Sequence, residues 1–175
     1  MTLQEEYERL CTTPSDIYEH LPRFVDFVKV LNAQHVIELG TRTGVSTIAW
    51  LYGLESTGGR LTSIDIDERP AIGEHEHWTF IQGDDLDPAV YSTLMPAEII
   101  FIDTSHEYLQ TVKELALYRH IVQPGGLLVL HDTELPSVGD GYRYPVKTAV
   151  QEFVAAHGYE WMNVPTCWGL GVIKL

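Results

Sequence analysis

Short apolar runs alternate with segments of helical periodicity along most of the chain. The short runs have the length of buried strands, and in the segments between them apolar residues recur every three or four positions. Strand–helix alternation of this kind predicts an α/β fold with a doubly wound, largely parallel sheet. The predicted strands are His35–Leu39, Leu61–Ile66, Trp78–Gln82, Ala97–Ile102, Leu127–Leu130, Tyr159–Val164 and Gly169–Leu175.

Helices are predicted before and between these strands. Residues 1–34 are expected to form an N-terminal helical segment, in which a second helix starts at T13-P-S-D16 with Thr13 or Ser15 as its cap, and Pro22 marks a break or restart. At 175 residues the chain is expected to be one domain, with this segment packed on the sheet that residues 35–175 form. The later helices are predicted at Val45–Leu54, Tyr108–Val122 and Val146–Ala156.

The end of the chain departs from the alternation. The last two predicted strands follow each other too closely for a crossover helix, so they must pair antiparallel. The segment P124-G-G126 is interpreted as a stop between a helix and the fifth strand. The prediction is therefore a seven-stranded sheet with its last strand antiparallel and helices on both faces, an ending atypical of a pure dinucleotide-binding fold.

Composition and charge narrow the range of partners. Apolar residues make up 45% of the chain and charged residues 21%, which is typical of a soluble globular protein. Eleven Lys and Arg against 25 Asp and Glu give a formal charge of −14, which disfavours nucleic acid and anionic membranes. No apolar run approaches the roughly 20 residues of a membrane span, and the polar N-terminus is unlike a secretory signal. We therefore expect a cytoplasmic protein with reduced thiols at Cys11 and Cys167.

Polar and small residues follow the first three strands, where α/β sheets bind their ligands. Gly40 and Gly44, in the turn after the first strand, permit close approach of a ligand to the backbone, although Arg42 breaks the GxGxxG pattern. Asp65, at the tip of the second strand, suits the two hydroxyls of a ribose. An acid in G83-D84-D85 after the third strand could accept a hydrogen bond from an adenine amino group.

These residues resemble a known family. E38-L-G-x-x-x-G44, Asp65 and G83-D84 are similar to the first three cofactor motifs of class I S-adenosylmethionine-dependent methyltransferases, over roughly residues 35–135 and the closing strands. That family has seven strands with the last antiparallel. The resemblance implies that one set of residues binds the cofactor: Glu38, Gly40, Thr41 and Gly44 around the methionine portion, Asp65 at the ribose, and Asp84, with Asp85 as its competitor, at the adenine.

The fourth and fifth predicted strands carry a second group of polar residues. The fourth ends in I102-D103-T-S-H106 and the fifth in L130-H131-D132, and both tips should face one crevice. Carboxylates from adjacent strands, accompanied by imidazoles, suit a divalent cation. Strand alternation predicts that His131 and Asp132 point to opposite faces, so that only one of them enters the crevice. The alternative is that the acids cap the following segments and the histidines are ordinary polar residues.

The pattern IDxxHxY followed by PGG…HD is similar to a metal-dependent O-methyltransferase branch and to cephalosporin-hydroxylase-like proteins. The resemblance implies that Asp103, Asp132 and, less firmly, His131 bind Mg²⁺ or Mn²⁺. It also implies that His106 is the general base beside Asp103. His131 stands where an acid is commoner, and its softer imidazole shifts the expectation toward manganese or toward no metal.

Three functions follow from these observations. The first is methyl transfer from S-adenosylmethionine to a hydroxyl of a small molecule, of natural-product or sugar type, with divalent-metal and histidine assistance. The second is a non-catalytic cofactor-binding or scaffold protein, and the third is a dinucleotide-dependent oxidoreductase. A homodimer is a further expectation, and Tyr142, Arg143 and Tyr144 either line a substrate pocket or form a plain surface loop.

Overall fold

The structure is a computed structural model, and it describes residues 1–136 and 145–175. The strands are β1 His35–Leu39, β2 Arg60–Asp65, β3 Trp78–Gln82, β4 Ala97–Ile102, β5 Val122–His131, β6 Trp161–Val164 and β7 Leu170–Lys174. The helices are α1 Leu3–Thr12, α2 Leu21–Leu31, α3 Val45–Glu55, α4 Pro88–Tyr91, α5 Tyr108–Tyr118 and α6 Val146–His157, and a 3₁₀ turn at Tyr18–His20 precedes α2.

The seven strands form one sheet in the order β3-β2-β1-β4-β5-β7-β6. The pairs from β3 to β5 are parallel, whereas β7 runs antiparallel to both β5 and β6. This topology confirms the predicted seven-stranded sheet with an antiparallel last strand. The carboxyl ends of β1, β2, β3, β4 and β5 therefore meet at one edge of the sheet, where their terminal side chains can cooperate.

Alternate residues of the central strands pack against helices on opposite faces. Phe24 of α2 stacks on Trp50 of α3 at 4.3 Å between ring centroids and lies 5.0 Å from Phe101 of β4. The N-terminal helices thus share one apolar cluster with α3 and this face of the sheet. On the other face, Ile100 of β4 belongs to a second cluster with residues of α5 and α6, such as Leu115. Helices on both faces confirm the predicted layer order.

The predicted boundary between the fifth helix and the fifth strand is wrong. The helix ends at Tyr118 rather than continuing to Val122, and Val122 already pairs with Ala97 of β4. P124-G-G126 therefore lies inside β5, where the register shifts before Leu127 pairs with β4. The physical reason is a β-bulge: Gly125 has φ of 81°, a conformation that glycine adopts without steric cost.

The predicted cap of the second helix is also wrong. Neither Thr13 nor Ser15 caps it, because α2 begins only at Leu21, with Pro22 in its first turn. Ser15 instead accepts a hydrogen bond from the backbone of Ile17 at 3.4 Å. Proline fits the first turn of a helix, since the N–H that it lacks would have no partner inside the helix there.

A buried carboxylate ties β1 to α3 and β2. Glu38 is fully buried, and its side chain accepts hydrogen bonds from the hydroxyls of Ser46 (2.6 Å), Thr47 (2.8 Å) and Ser63 (2.6 Å). The Trp78 indole donates to the Ser63 oxygen in turn, at 3.0 Å. Burial outweighs these hydrogen bonds and raises the pKa of Glu38 to about 7. The network fixes the start of α3 and, with it, the turn that leaves β1.

Removing this acceptor should destabilise the fold. We expect Glu38→Leu to lower the free energy of unfolding by about 3 kcal/mol or more, because three buried hydroxyls lose their acceptor. Urea denaturation monitored by circular dichroism measures the loss. The matched control is Glu55→Leu at the exposed end of α3, for which we expect a change within about 0.5 kcal/mol. Equal stability of the two variants would contradict a structural role for Glu38.

Candidate active site

One cavity of about 410 Å³ opens at the carboxyl edge of the sheet. Its volume lies within the range of small-molecule binding sites, about 300–1,000 Å³. The position agrees with the expectation that ligands of such sheets bind beyond the strand ends. The residues predicted for the site that line this cavity are Gly40, Thr41, Asp65, Asp84, Asp85, Asp103, His106 and Asp132.

The turn between β1 and α3 brings backbone close to the cavity. Gly40 has φ of 86°, and a Cβ built on it would lie 1.9 Å from the carbonyl oxygen of Asp103. No other residue fits this close approach of the two strand ends. Gly44 starts α3 at φ 84° and packs against Ile72, where a Cβ would lie 2.5 Å from Cγ2. Glu38 lies buried beneath the turn, so direct contacts of Gly44 and Glu38 with a cofactor stay predictions.

Asp65 holds this turn in place while lining the cavity. Its Oδ2 accepts hydrogen bonds from the Thr41 amide at 2.6 Å, the Thr41 hydroxyl at 2.9 Å and the Arg42 amide at 3.0 Å. Its Oδ1 accepts from the Asp67 amide at 2.9 Å. Burial favours the neutral acid, but these hydrogen bonds outweigh it and lower the pKa of Asp65. The side chain is therefore an anion fixed at the cavity wall, in the position expected for ribose binding.

The structure distinguishes the two competing acids after β3. Asp84 is exposed at the cavity, with its Oδ1 accepting from the amide of Leu86 at 2.9 Å. Asp85 is only 7% exposed, and its side chain turns inward to the amide of Gln110 at 3.2 Å. Asp84 is therefore the better placed of the two to meet a ligand.

Four charged side chains converge where β4 and β5 end. His106 places its Nε2 3.2 Å from Oδ1 of Asp103 and 2.8 Å from Oδ2 of Asp132. His131 places its Nδ1 2.9 Å from Oδ2 of Asp132 and 3.5 Å from Oδ1 of Asp103. We call Asp103, His106, His131 and Asp132 the strand-tip cluster. The structure brings together the four residues that the sequence analysis assigned to the metal site and to the general base.

The expected separation of His131 and Asp132 to opposite faces is wrong. Alternation holds only inside a strand, and β5 ends at His131. Asp132 has φ of 60°, in the left-handed region. This reversal turns its carboxylate back toward His131, which it contacts at 2.9 Å, but only Asp132 of the two lines the cavity, as expected.

Charge compensation dominates the electrostatics of the strand-tip cluster. Burial alone would lower the pKa of both histidines, but hydrogen bonds to Asp103 and Asp132 outweigh it and raise the pKa of His106 to about 9 and that of His131 to about 10. Burial favours neutral acids, yet the histidines hold the pKa of Asp103 and Asp132 below the usual value. With only these four side chains present, neutral pH favours two imidazolium ions beside two carboxylates.

The donor set of the cluster also fits a divalent cation. Asp103, His131 and Asp132 each offer one ligand atom, and these atoms lie within 4.8 Å of one another. His131 contacts the Cys167 carbonyl through Nε2 at 2.9 Å. A neutral imidazole that donates this Nε2 proton keeps its lone pair on Nδ1, which faces the two carboxylates. Two carboxylate oxygens and one imidazole nitrogen suit magnesium or manganese.

A fully buried histidine of the N-terminal segment lies behind the cluster. His20 contacts the Thr166 carbonyl through Nε2 at 2.9 Å, and its ring centroid lies 5.8 Å from that of His131. Burial lowers the pKa of His20 to about 4, so the ring is neutral at neutral pH. Its partner lies 146 residues away in sequence, and no local pattern indicates such a contact.

The N-terminal segment contributes to the cavity wall. Asp16 lines the cavity and forms an ion pair of 2.5 Å with Arg42 of the glycine turn. Both side chains are exposed, so the pair adds little to stability. It places a cation and an anion at the cavity entrance, and Arg42 occupies the place that a glycine would take in a dinucleotide motif.

Tyr142, Arg143 and Tyr144, expected either to line a substrate pocket or to form a plain surface loop, lie outside the described residues. Among the helices of residues 1–136 and 145–175, none has the length and apolar character that a membrane span requires.

Comparison with known proteins identifies the family. Residues 37–133 match the family described as a methyltransferase domain. An O-methyltransferase named ankF from Aspergillus thermomutatus is 28% identical over 111 residues. That match covers 58% of this chain and 46% of the relative, so the chain spans about half the length of the curated relative that it matches.

Two solved structures share the fold. The O-methyltransferase TomG from Streptomyces achromogenes, involved in tomaymycin synthesis and in complex with SAM, has a TM-score of 0.72 at 17% identity, covering 99% of this chain and 88% of that one. The SAH-bound methyltransferase PaMTH1 from Podospora anserina has a TM-score of 0.66 at 15% identity, covering 98% and 86%. Identities this low show the fold alone.

The family match covers more than half of the chain and runs from the middle of β1 past Asp132, so it contains every residue that lines the cavity except Asp16. It agrees with the resemblance noted for the glycine turn and for the acids after β2 and β3. The chain belongs to the methyltransferase domain family.

Proposed function

We propose that this protein transfers a methyl group from S-adenosylmethionine to a hydroxyl of a small molecule, assisted by a divalent cation and by His106. The observation that carries the proposal is a cavity whose wall includes Asp65 and Asp84 on one side and Asp103, His106 and Asp132 on the other. The first pair suits the hydroxyls and amino group of a nucleoside. The second group suits the binding and deprotonation of an acceptor hydroxyl.

The cofactor would lie across the ends of β1, β2 and β3. The methionine portion would meet the glycine turn around Gly40 and Thr41, the ribose would meet Asp65, and the adenine would meet Asp84. TomG with SAM and PaMTH1 with SAH support this choice of cofactor because both have the same fold. In the proposed arrangement, Asp65 both orders the turn and faces the ribose.

The acceptor would bind at the strand-tip cluster. The methyl sulfonium of the cofactor is already electrophilic, so the protein needs mainly to align the two substrates and remove a proton. A divalent cation held by Asp103, His131 and Asp132 would orient the acceptor hydroxyl and lower its pKa. His106, which contacts both carboxylates, would take the proton as a positioned general base.

Cation binding by Asp103 and Asp132 and proton removal by His106 depend on each other. As long as Asp103 and Asp132 are balanced only by histidines, His106 has a pKa of about 9 and holds its proton at neutral pH. Neutralising the two carboxylates removes the attraction that keeps His106 charged. A base role for His106 and a cation site at Asp103 and Asp132 therefore support one another.

Family membership favours this function over the other two. A methyltransferase domain argues against a dinucleotide-dependent oxidoreductase. A non-catalytic cofactor-binding protein gives no reason for Asp103, His106 and Asp132 to meet at the cavity wall. The names of ankF and TomG support transfer to oxygen, and the link of TomG to tomaymycin synthesis supports an acceptor of natural-product type. The acidic chain favours a neutral or cationic acceptor.

Cofactor binding provides the first test. S-adenosylhomocysteine should bind the protein in isothermal titration calorimetry, and Asp84→Asn should raise its Kd about five- to thirtyfold because a charged acceptor is lost. Asp26→Asn, an exposed substitution on α2, is the matched control and should leave the Kd unchanged. Failure of the wild-type protein to bind the compound would contradict the proposed cofactor.

Metal dependence provides the second test. Transfer to a panel of hydroxylated small molecules, followed by release of S-adenosylhomocysteine, should stop in excess chelator and return with Mg²⁺ or Mn²⁺. Calorimetric titration with Mn²⁺ alone should show at least about tenfold weaker binding to Asp103→Asn, since a ligand is lost. Asp26→Asn should bind Mn²⁺ like the wild type. Full transfer in excess chelator would remove the cation from the mechanism.

The base role of His106 provides the third test. His106→Ala should slow transfer by about 10²–10⁴-fold at neutral pH, because a positioned general base contributes that much. The rate should recover as the pH rises, since the hydroxyl then ionises unaided, while the Kd for S-adenosylhomocysteine stays near the wild-type value. His120→Ala, at an exposed histidine, is the control. Loss of activity in His131→Ala but not in His106→Ala would reverse the two assignments.

A further inference from the structure

Two buried carboxyl groups meet at the cavity wall, apart from the strand-tip cluster. Asp85, after β3, is 7% exposed, and Glu114, in the middle of α5, is fully buried. The Gln110 amide donates to Oδ1 of Asp85 at 3.2 Å and to Oε1 of Glu114 at 2.9 Å. Within the described residues, the second oxygen of each group, Oδ2 and Oε2, is buried and has no hydrogen-bond partner.

One proton shared between the two acids would give each of the two unpartnered oxygens a hydrogen bond. Two buried carboxylates side by side would repel each other, and burial disfavours the charged form of each. A neutral carboxyl of Asp85 or Glu114 can donate to the other group, which gives both second oxygens a partner. The Gln110 amide bridges the two side chains, and the electrostatics of each acid depend on the other. Burial, followed by the charge of Glu114, raises the pKa of Asp85 to about 7, and burial also raises the pKa of Glu114.

Other titratable groups face this pair from the packed elements. Asp84 adds negative charge beside Asp85, whereas His106 lies on the side of Glu114 and favours its anion. Tyr118 of α5 donates its hydroxyl to the backbone carbonyl of Asp85 at 2.8 Å. None of these groups supplies a hydrogen bond to the second oxygens, so the shared proton is still required.

Asp85 and Glu114 connect the side of the cavity proposed for the cofactor with the side formed by the loop from Asp103 to His106. Glu114 accepts a hydrogen bond from the hydroxyl of Thr104 at 2.6 Å, and Thr104 directly follows Asp103 in the loop that carries His106. Asp85 directly follows Asp84, the residue proposed for adenine binding. Thr104, Gln110 and Asp85 all line the cavity. A change in the distance between the two acids would therefore move both walls.

We propose that Asp85 and Glu114 are positioning residues that share one proton, and that this proton holds the cofactor wall against the loop from Asp103 to His106. Loss of the proton at alkaline pH leaves two repelling carboxylates, loosens the cavity and weakens cofactor binding. The inference rests on the proposed function only in taking S-adenosylhomocysteine as the ligand.

An amide at position 114 mimics the proton-sharing state. In Glu114→Gln, the amide oxygen can still accept from Thr104 and Gln110, while the amide N–H donates to an ionised Asp85 at every pH. The variant should bind S-adenosylhomocysteine within about threefold of the wild type at pH 6. Glu114→Gln therefore keeps the hydrogen bonds of this residue but removes its titration, which distinguishes proton sharing from a merely structural role.

The experiment is calorimetric titration of S-adenosylhomocysteine between pH 6 and pH 9. Relative to Glu114→Gln, the wild-type Kd should rise by about tenfold or more toward pH 9, because one linked proton gives up to tenfold per pH unit. Titration of groups that do not face the pair affects both proteins and cancels in the ratio of the two Kd values, and the titration of His106, which faces Glu114, is followed in both proteins by nitrogen-15 NMR. Glu76→Gln, the same change at an exposed position, should keep the wild-type profile.

A second measurement needs no variant. Carbon-13 NMR of the side-chain carboxyls of the wild type should show one proton retained by the pair near pH 6 and lost above about pH 7. Parallel Kd profiles for the wild type and Glu114→Gln would overturn the positioning role, as would two carboxyls that both ionise near their usual pKa of about 4. If the wild type binds no S-adenosylhomocysteine at any pH, the proposed function fails, and the NMR titration still decides whether the proton is shared.

Discussion

The balance of two carboxylates by two imidazoles at the ends of β4 and β5 is the constraint on which the rest of the site depends. Asp103, His106, His131 and Asp132 lie within hydrogen-bond or ion-pair distance of one another, at positions where burial disfavours isolated charge. Removing one partner would leave another charge without compensation. In the proposed mechanism, a divalent cation would take over the role of the imidazolium ions in balancing the two carboxylates.

Backbone conformation is adapted to bring these side chains together. Among the described non-glycine residues with positive φ, all but Asn32 lie at this end of the sheet: Arg42, His106, Asp132, Cys167 and Trp168. Residues in this region are uncommon and cost free energy, and they concentrate at functional sites. In the turn between β6 and β7, this strained backbone presents the carbonyls of Thr166 and Cys167 to His20 and His131. The antiparallel last strand, which distinguishes this sheet from a dinucleotide-binding one, carries that turn to the site.

The sequence predicts the architecture well because strand length and helical periodicity are local signals. It also predicts that Asp65, Asp84, Asp103, His106 and Asp132 meet at one edge of the parallel sheet, and all five line the cavity there. It fails where the backbone leaves regular geometry. The convergence of His131 and Asp132 requires the left-handed conformation of Asp132, and the early start of β5 requires a bulge at P124-G-G126. Neither follows from hydrophobic alternation.

Contacts between distant elements are the other limit of sequence reasoning. From the sequence, a glutamate such as Glu114 is expected on the exposed face of its helix. In the structure it lies on the buried face with Thr111, Leu115 and Tyr118. The spacing of these four residues was a usable signal, because a charged residue within an apolar helix stripe needs a partner. His20 offers no such signal, since its partner is a carbonyl near the other end of the chain.

Nitrogen-15 NMR of the histidine side chains tests the charge balance most directly. We expect His106 and His131 both to be protonated at neutral pH without added cation, in line with pKa values of about 9 and 10. Saturating Mg²⁺ together with S-adenosylhomocysteine should lower the pKa of His106 and convert His131 to the neutral form with its proton on Nε2. Titration of both rings near the ordinary value of about 6.5, with no response to Mg²⁺, would contradict the proposed charge balance.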